Sequence, residues 1–79
     1  SASYFQHLYK EQFGTSVMND VIQSRIDHAK YLLSSTDIAI VQISEMCGYK
    51  CPSHFMRQFK LRTKMTPSEY RDRMIRLEL

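Results

Sequence analysis

Glycine and proline are scarce in this chain, two of each among 79 residues. Turns between strands draw on both, so the sequence carries little strand character and almost nothing to punctuate hairpins. Cysteine is equally sparse. Cys47 and Cys51 stand four apart, which makes no disulfide framework and fits a reducing compartment. No apolar run approaches the roughly 20 residues that cross a bilayer, and no stretch reads as a signal peptide. The first residue is Ser1 rather than Met, so a piece cut from a longer protein is expected. Catalytic inventory is thin too: no Ser or Cys sits in a recognisable nucleophile elbow and no paired carboxylates converge. Glu45 and Glu69 fall on different predicted helices. A non-enzymatic function is expected.

What is present is an ordinary globular balance, 43% apolar and 24% charged, in a length that allows one small domain with a modest core. The net charge of +3 is unevenly spread. Residues 1–49 hold three Lys/Arg against five Asp/Glu, whereas residues 50–79 hold eight against three. A basic half suggests an anionic partner, most commonly nucleic acid, with a solvated surface as the plainer alternative.

Apolar positions recur at helical spacing. Met18, Val21, Ile22, Ile26, Ala29, Leu32 and Leu33 form one stripe of a helix that Ser16 would cap and the cluster Ser34-Ser35-Thr36-Asp37 would end. A short helix follows, with Ile40, Ile43 and Cys47 on one face and Gly48 placed to stop it. Pro52 suits the first position of the next helix, where its missing N–H is not needed. Phe55 and Phe59 lie four apart on it. Thr66-Pro67-Ser68-Glu69 reads as a capping box that opens the last helix. The five methionines, 18, 46, 56, 65 and 74, are expected to fill gaps in the core and in turns.

Cys47-x3-Cys51-x2-His54 raises the question of zinc. A structural site wants four ligands, and this stretch offers three without a second Cys/His pair at finger spacing. Cys47 falls on an apolar helix face, where a thiol acts as a small hydrophobe, and Cys51 stands at a helix cap. Neither a metal nor any other cofactor is expected. A short helix, a Gly-containing turn and a second helix remain: a helix-turn-helix, with small Ser44 where the helices cross. With Phe55 and Phe59 buried, about 100° per residue turns Ser53, Arg57, Lys60 and Lys64 outward, with His54 and Leu61 on the flank. Such a face fits the major groove of duplex DNA, where Arg can donate two hydrogen bonds to guanine. Residues 1–10 echo residues 51–60 at a shift of 50: Ser3 matches Ser53, Phe5 matches Phe55, Lys10 matches Lys60, and Tyr9 stands for Phe59. Two such helices joined by a long helix would meet successive major-groove segments about 34 Å apart.

The run Ile40-x2-Ile43-Ser44-x3-Gly48-Tyr49-x5-Phe55-x3-Phe59-Lys60-x5-Thr66-Pro67-x2-Tyr70-Arg71 resembles the signature of AraC/XylS-type bacterial transcription regulators. Gly14-x-Ser16 and Arg25-x3-Ala29-x2-Leu32-Leu33 are similar to that family's first half and connecting helix. The resemblance implies an all-α fold of helix-turn-helix type. Residues 1–15 would be the remainder of a first unit, 16–35 the connecting helix and 37–79 a complete second unit. It also implies sequence-specific DNA binding in the bacterial cytoplasm, on the nucleoid. Carried over by position, base reading falls on Pro52, Ser53, His54 and Arg57, and in the first unit on Ser3, Gln6 and His7. Pro52 would serve helix start or apolar contact. Lys60 and Lys64 would meet phosphates or lie on the surface, and Lys10 is read as surface.

Several positions depart from the family pattern. Ser44 stands for Ala, Lys64 for Gly, Thr63 for an aromatic, Asp20 for Tyr and Val17 for Pro, so a changed end to the helix before Lys64 is expected. Arg25 is read as a packing or salt-bridge residue with Asp27 or neighbouring acids available. Residues 37–76 are expected to close their own core around Ile40, Ile43, Phe55, Phe59 and Tyr70. In the resembled fold the helix bearing Phe5, Leu8, Tyr9 and Phe13 packs against helices upstream of Ser1, so residues 1–15 are expected to fray or to find cover on a second copy, with self-association through residues 4–33 the favoured outcome. The alternative function is a helical protein-interaction module whose basic face meets an acidic protein such as a subunit of RNA polymerase.

Overall fold

Four helices follow one another in the computed structural model, which describes residues 16–78: α1 (Val17–Ser35), α2 (Ile40–Met46), α3 (Pro52–Thr63) and α4 (Pro67–Glu78). The all-α expectation holds among the described residues. No helix among them is long and apolar enough to cross a membrane.

Local chemistry explains each boundary. Ser16 caps α1, its hydroxyl accepting from the Asn19 N–H at 3.1 Å. The helix ends where Ser34, Ser35 and Thr36 turn their hydroxyls back to carbonyls of the preceding turn. Helix α2 closes in a Schellman motif: the Gly48 N–H bonds Glu45 O at 3.1 Å and the Tyr49 N–H bonds Ser44 O at 2.9 Å. Gly48 takes φ 93°, which a residue with a Cβ adopts only under strain. Pro52 opens α3 and Lys64 ends it. The capping box at α4 is reciprocal: Glu69 N–H to Thr66 Oγ1 at 3.1 Å, and Thr66 N–H to Glu69 Oε1 at 2.9 Å.

Among the described residues the core is one cluster. Ile26, Ala29, Leu32 and Leu33 of α1 join Ile43, Cys47, Tyr49, Phe55 and Phe59, with Ile22, Ile38, Ile40 and Tyr70 packed against them. Helix α1 thus supplies a large part of the core that residues 37–76 were expected to close alone. Aromatic rings run through the cluster, Tyr49 to Phe55 at 5.2 Å, Phe55 to Phe59 at 5.8 Å and Phe59 to Tyr70 at 5.6 Å. Ser44 is fully buried at the α2–α3 crossing, its hydroxyl donating to Val41 O at 2.7 Å.

Arg25 is the packing residue expected: it lies over the Tyr49 ring, 5.5 Å from its centroid, while the Asp27 carboxylate accepts from Gln23. Two expectations are corrected. Met18, Met46 and Met56 are exposed rather than core, because the branched and aromatic side chains already fill the interior. Finally, α3 does not end differently for want of glycine. Lys64 itself adopts the left-handed conformation at φ 69°, and its N–H bonds Lys60 O at 2.8 Å.

Candidate nucleic-acid interface

Helix α3 is fixed by its apolar side. Phe55 and Phe59 are fully buried, and Tyr49 reinforces them from the preceding turn with its hydroxyl bonded to Gln58 Oε1. Burial pushes the Tyr49 phenol above its ordinary pKa, with the Arg25 charge pulling the other way, so Tyr49 stays a neutral donor. Anchored so, α3 turns its opposite side to solvent: Ser53, His54, Arg57, Lys60 and Lys64 are all exposed, and Pro52 is half-buried at the first turn. The structure therefore brings the predicted second-unit residues onto one surface. Ser3, Gln6, His7 and Lys10 lie outside the described residues, as do Phe5, Leu8, Tyr9 and Phe13.

That surface suits a polyanion. Between Glu45 and Glu69 the sequence holds no acid. Arg57, Lys60, Leu61 and Lys64 line a shallow depression at the far end of the helix. The His54 ring meets the edge of Tyr49 at 5.6 Å and 85°, so the core orients a side chain of the outer face. An α-helix is about 10–12 Å across, close to the roughly 12 Å width of the major groove.

The two cysteines part company. Cys47 is buried and Cys51 exposed. Burial pushes the Cys47 thiol up. The backbone N–H of His54, then that of Ser53, draws the Cys51 thiol below its usual range, although no side-chain bond of capping geometry forms there. Among the described residues no three His, Cys, Asp or Glu side chains gather as metal ligands would.

The sequence reading passed over Arg62 and did not foresee what Tyr49 does. Arg62 reaches back to α1, donating to Asn19 Oδ1 at 3.1 Å and Gln23 Oε1 at 3.3 Å. It follows Phe59 by three residues and Phe55 by seven, the spacing of the buried stripe, and that was the signal to read. Tyr49 stood in the family run, but its place in the core and its bond to Gln58 depend on how the turn folds back on α3.

A family model described as a helix-turn-helix domain matches residues 1–73. The chain is 36% identical over 72 residues to the xylose operon regulatory protein of Escherichia coli K12, covering 91% of this chain and 18% of that protein. It is 35% identical over 71 residues to the HTH-type transcriptional activator RhaR of Yersinia pestis, covering 90% of this chain and 24% of the relative. The chain thus spans a quarter or less of these curated relatives. Among solved structures, it is similar to the C-terminal domain of the two-component response regulator yesN from Fusobacterium nucleatum, with TM-score 0.87, 31% identity, 90% of this chain and 69% of that one covered. An AraC-type transcriptional regulator from Chromobacterium violaceum matches with TM-score 0.82 and 29% identity, over 91% of this chain and 64% of that one.

Proposed function

The chain belongs to the AraC-type helix-turn-helix family, the DNA-binding domains of transcription regulators, and from that membership we propose how its residues divide the work on duplex DNA. Helix α3 lies in the major groove, where Arg57 reads a base through its two-pronged donor fork and Ser53 and His54 contact neighbouring base edges. Pro52 starts the helix and offers apolar contact. Lys60 and Lys64 meet phosphates. The observation that carries this reading is the two-sidedness of α3: fully buried phenylalanines hold one side while Ser53, His54, Arg57 and Lys60 stand exposed on the other. Ser3, Gln6 and His7 take the same role in a first unit, with 16–35 as the connecting helix and 37–79 as the second unit. The repeat between residues 1–10 and 51–60 supports that arrangement.

Arg57→Ala should cost about 1–3 kcal/mol on a specific duplex and relax preference at one base pair. Lys60→Ala should weaken all sequences alike and flatten the salt slope by about one unit. Equal loss of specific and random DNA in Arg57→Ala would refute the division. Bacterial relatives and a duplex DNA target support a place in the bacterial cytoplasm, on the nucleoid, and family membership supports RNA polymerase as a protein partner. Self-association through residues 4–33 is also proposed, supported by exposed Met18, Val21 and Tyr31 on α1. Sedimentation at micromolar concentration tests it, and a monomer there refutes it.

A further inference from the structure

Leu61 is the anomaly on α3. It is 70% exposed, yet it stands on the side of the helix that otherwise presents Ser53, His54, Arg57, Lys60 and Lys64. At about 100° per residue it lies some 40° round from Arg57 and one turn further along. With Arg57, Lys60 and Lys64 it lines one shallow depression. The core does not claim it. Phe55 and Phe59 fill the buried side, and Arg62, the next residue, ties the helix to α1.

A polyanion drawn onto the three cations brings whatever lies between its phosphates against Leu61. This side chain can neither donate nor accept a hydrogen bond. A base edge bearing only polar groups would lose water there and gain no partner. Of the four bases, thymine alone presents a methyl group in the major groove. Leu61 follows Arg57 by four residues, about 6 Å of helix, and base pairs repeat about every 3.4 Å.

We propose that Leu61 is a specificity-determining residue, packing against the C5 methyl of a thymine about two base pairs from the base that Arg57 reads. The proposal rests on the reading of α3 as the base-contacting helix, and it adds a contact that hydrogen-bond logic does not supply.

Deoxyuridine differs from thymidine at that methyl alone, which makes the test direct. A duplex is first selected by the chain from a random-sequence library, and each thymine is then replaced singly by deoxyuridine. One replacement should weaken the unsubstituted chain about fourfold, the worth of one methyl-sized group returned to water. Leu61→Ala should bind the parent duplex about fourfold more weakly and show no further loss at that one uridine. Its melting temperature should be unchanged, because the side chain is exposed. The sensitive position should lie about two base pairs from the one relaxed by Arg57→Ala. Uridine losses that are the same in the unsubstituted chain and in Leu61→Ala at every thymine would overturn the assignment, as would Leu61→Ala selecting the same sequences. If selection yields base preferences that depend on Arg57 but not on Leu61, the leucine contact alone fails. If it yields no preference at all, the reading of α3 fails with it.

Discussion

Lys64 is the one non-glycine residue with positive φ among the described residues, at φ 69° and ψ 8°. A side chain in the left-handed region costs about 1–2 kcal/mol, because its Cβ crowds the following carbonyl. Glycine removes that crowding but loses about 0.5–1 kcal/mol of extra backbone freedom on folding. The side chain is exposed, so no packed contact is forfeited. Lys64→Gly should therefore stabilise by about 0.5–1 kcal/mol, raising Tm by about 4 °C for a domain of this size. Lys64→Ala separates backbone from charge, since alanine keeps the Cβ and loses the ammonium, and it should melt with the unsubstituted chain. In DNA binding the two variants should agree, each flattening the salt slope by about one unit. Thermal melts and salt titrations of the pair decide the matter. A glycine variant that melts no higher than the alanine variant would refute the strain argument, and unequal salt slopes would refute the phosphate assignment.

Gly48→Ala should cost about 1–3 kcal/mol, because φ is 93° and the new Cβ would sit 3.2 Å from Arg25 Nε. An unchanged melting curve would contradict it, and adding Arg25→Ala should recover only the part due to contact. Thr66→Ala should cost about 1 kcal/mol through loss of the α4 cap. Glu69 is held below its ordinary carboxyl value of 4.5 by the Thr66 N–H and then the Thr66 hydroxyl. Its contribution is thus complete above that value and lost as pH falls through the lower folded-state value. Glu69→Gln should accordingly melt lower at neutral pH and converge with the unsubstituted chain in strong acid, and parallel curves at every pH would contradict the cap's role. Cys47→Ser should destabilise by about 1–3 kcal/mol, since it puts a hydroxyl into an apolar site, while Cys51→Ser should leave the melt nearly unchanged because that position is exposed. Stoichiometric zinc in the purified protein, with unfolding on chelation, would instead restore the metal reading.

The features legible in the sequence are those whose partners lie within one helical turn. Ser16 bonds Asn19, Thr66 and Glu69 bond each other, and the Gly48 turn bonds Glu45 and Ser44. Spacing at three and four likewise placed Ile26, Ala29, Leu32 and Leu33 inside and Arg57 and Lys60 outside, because the helix itself converts that spacing into a face. The family pattern added the turn and its two flanking helices.

Other choices waited on which helices meet. No basic residue occupies the last turn of α1, yet its open carbonyls are met by a cation. Arg71 of α4 donates to Leu33 O at 3.1 Å and to Thr36 O at 3.2 Å, a capping role filled from 35 and 38 residues away. Arg62 finds Asn19 and Gln23, and Arg25 finds the Tyr49 ring. By residue type alone, any of these arginines matches a carboxylate, a phosphate or an aromatic face equally well. Helical order along the chain determined that α3 would have an outer basic side. The packing of α1 against α4 and α3 decided which of the basic residues were spent inside the domain and which were left facing out, because a guanidinium takes the partner that folding brings within reach.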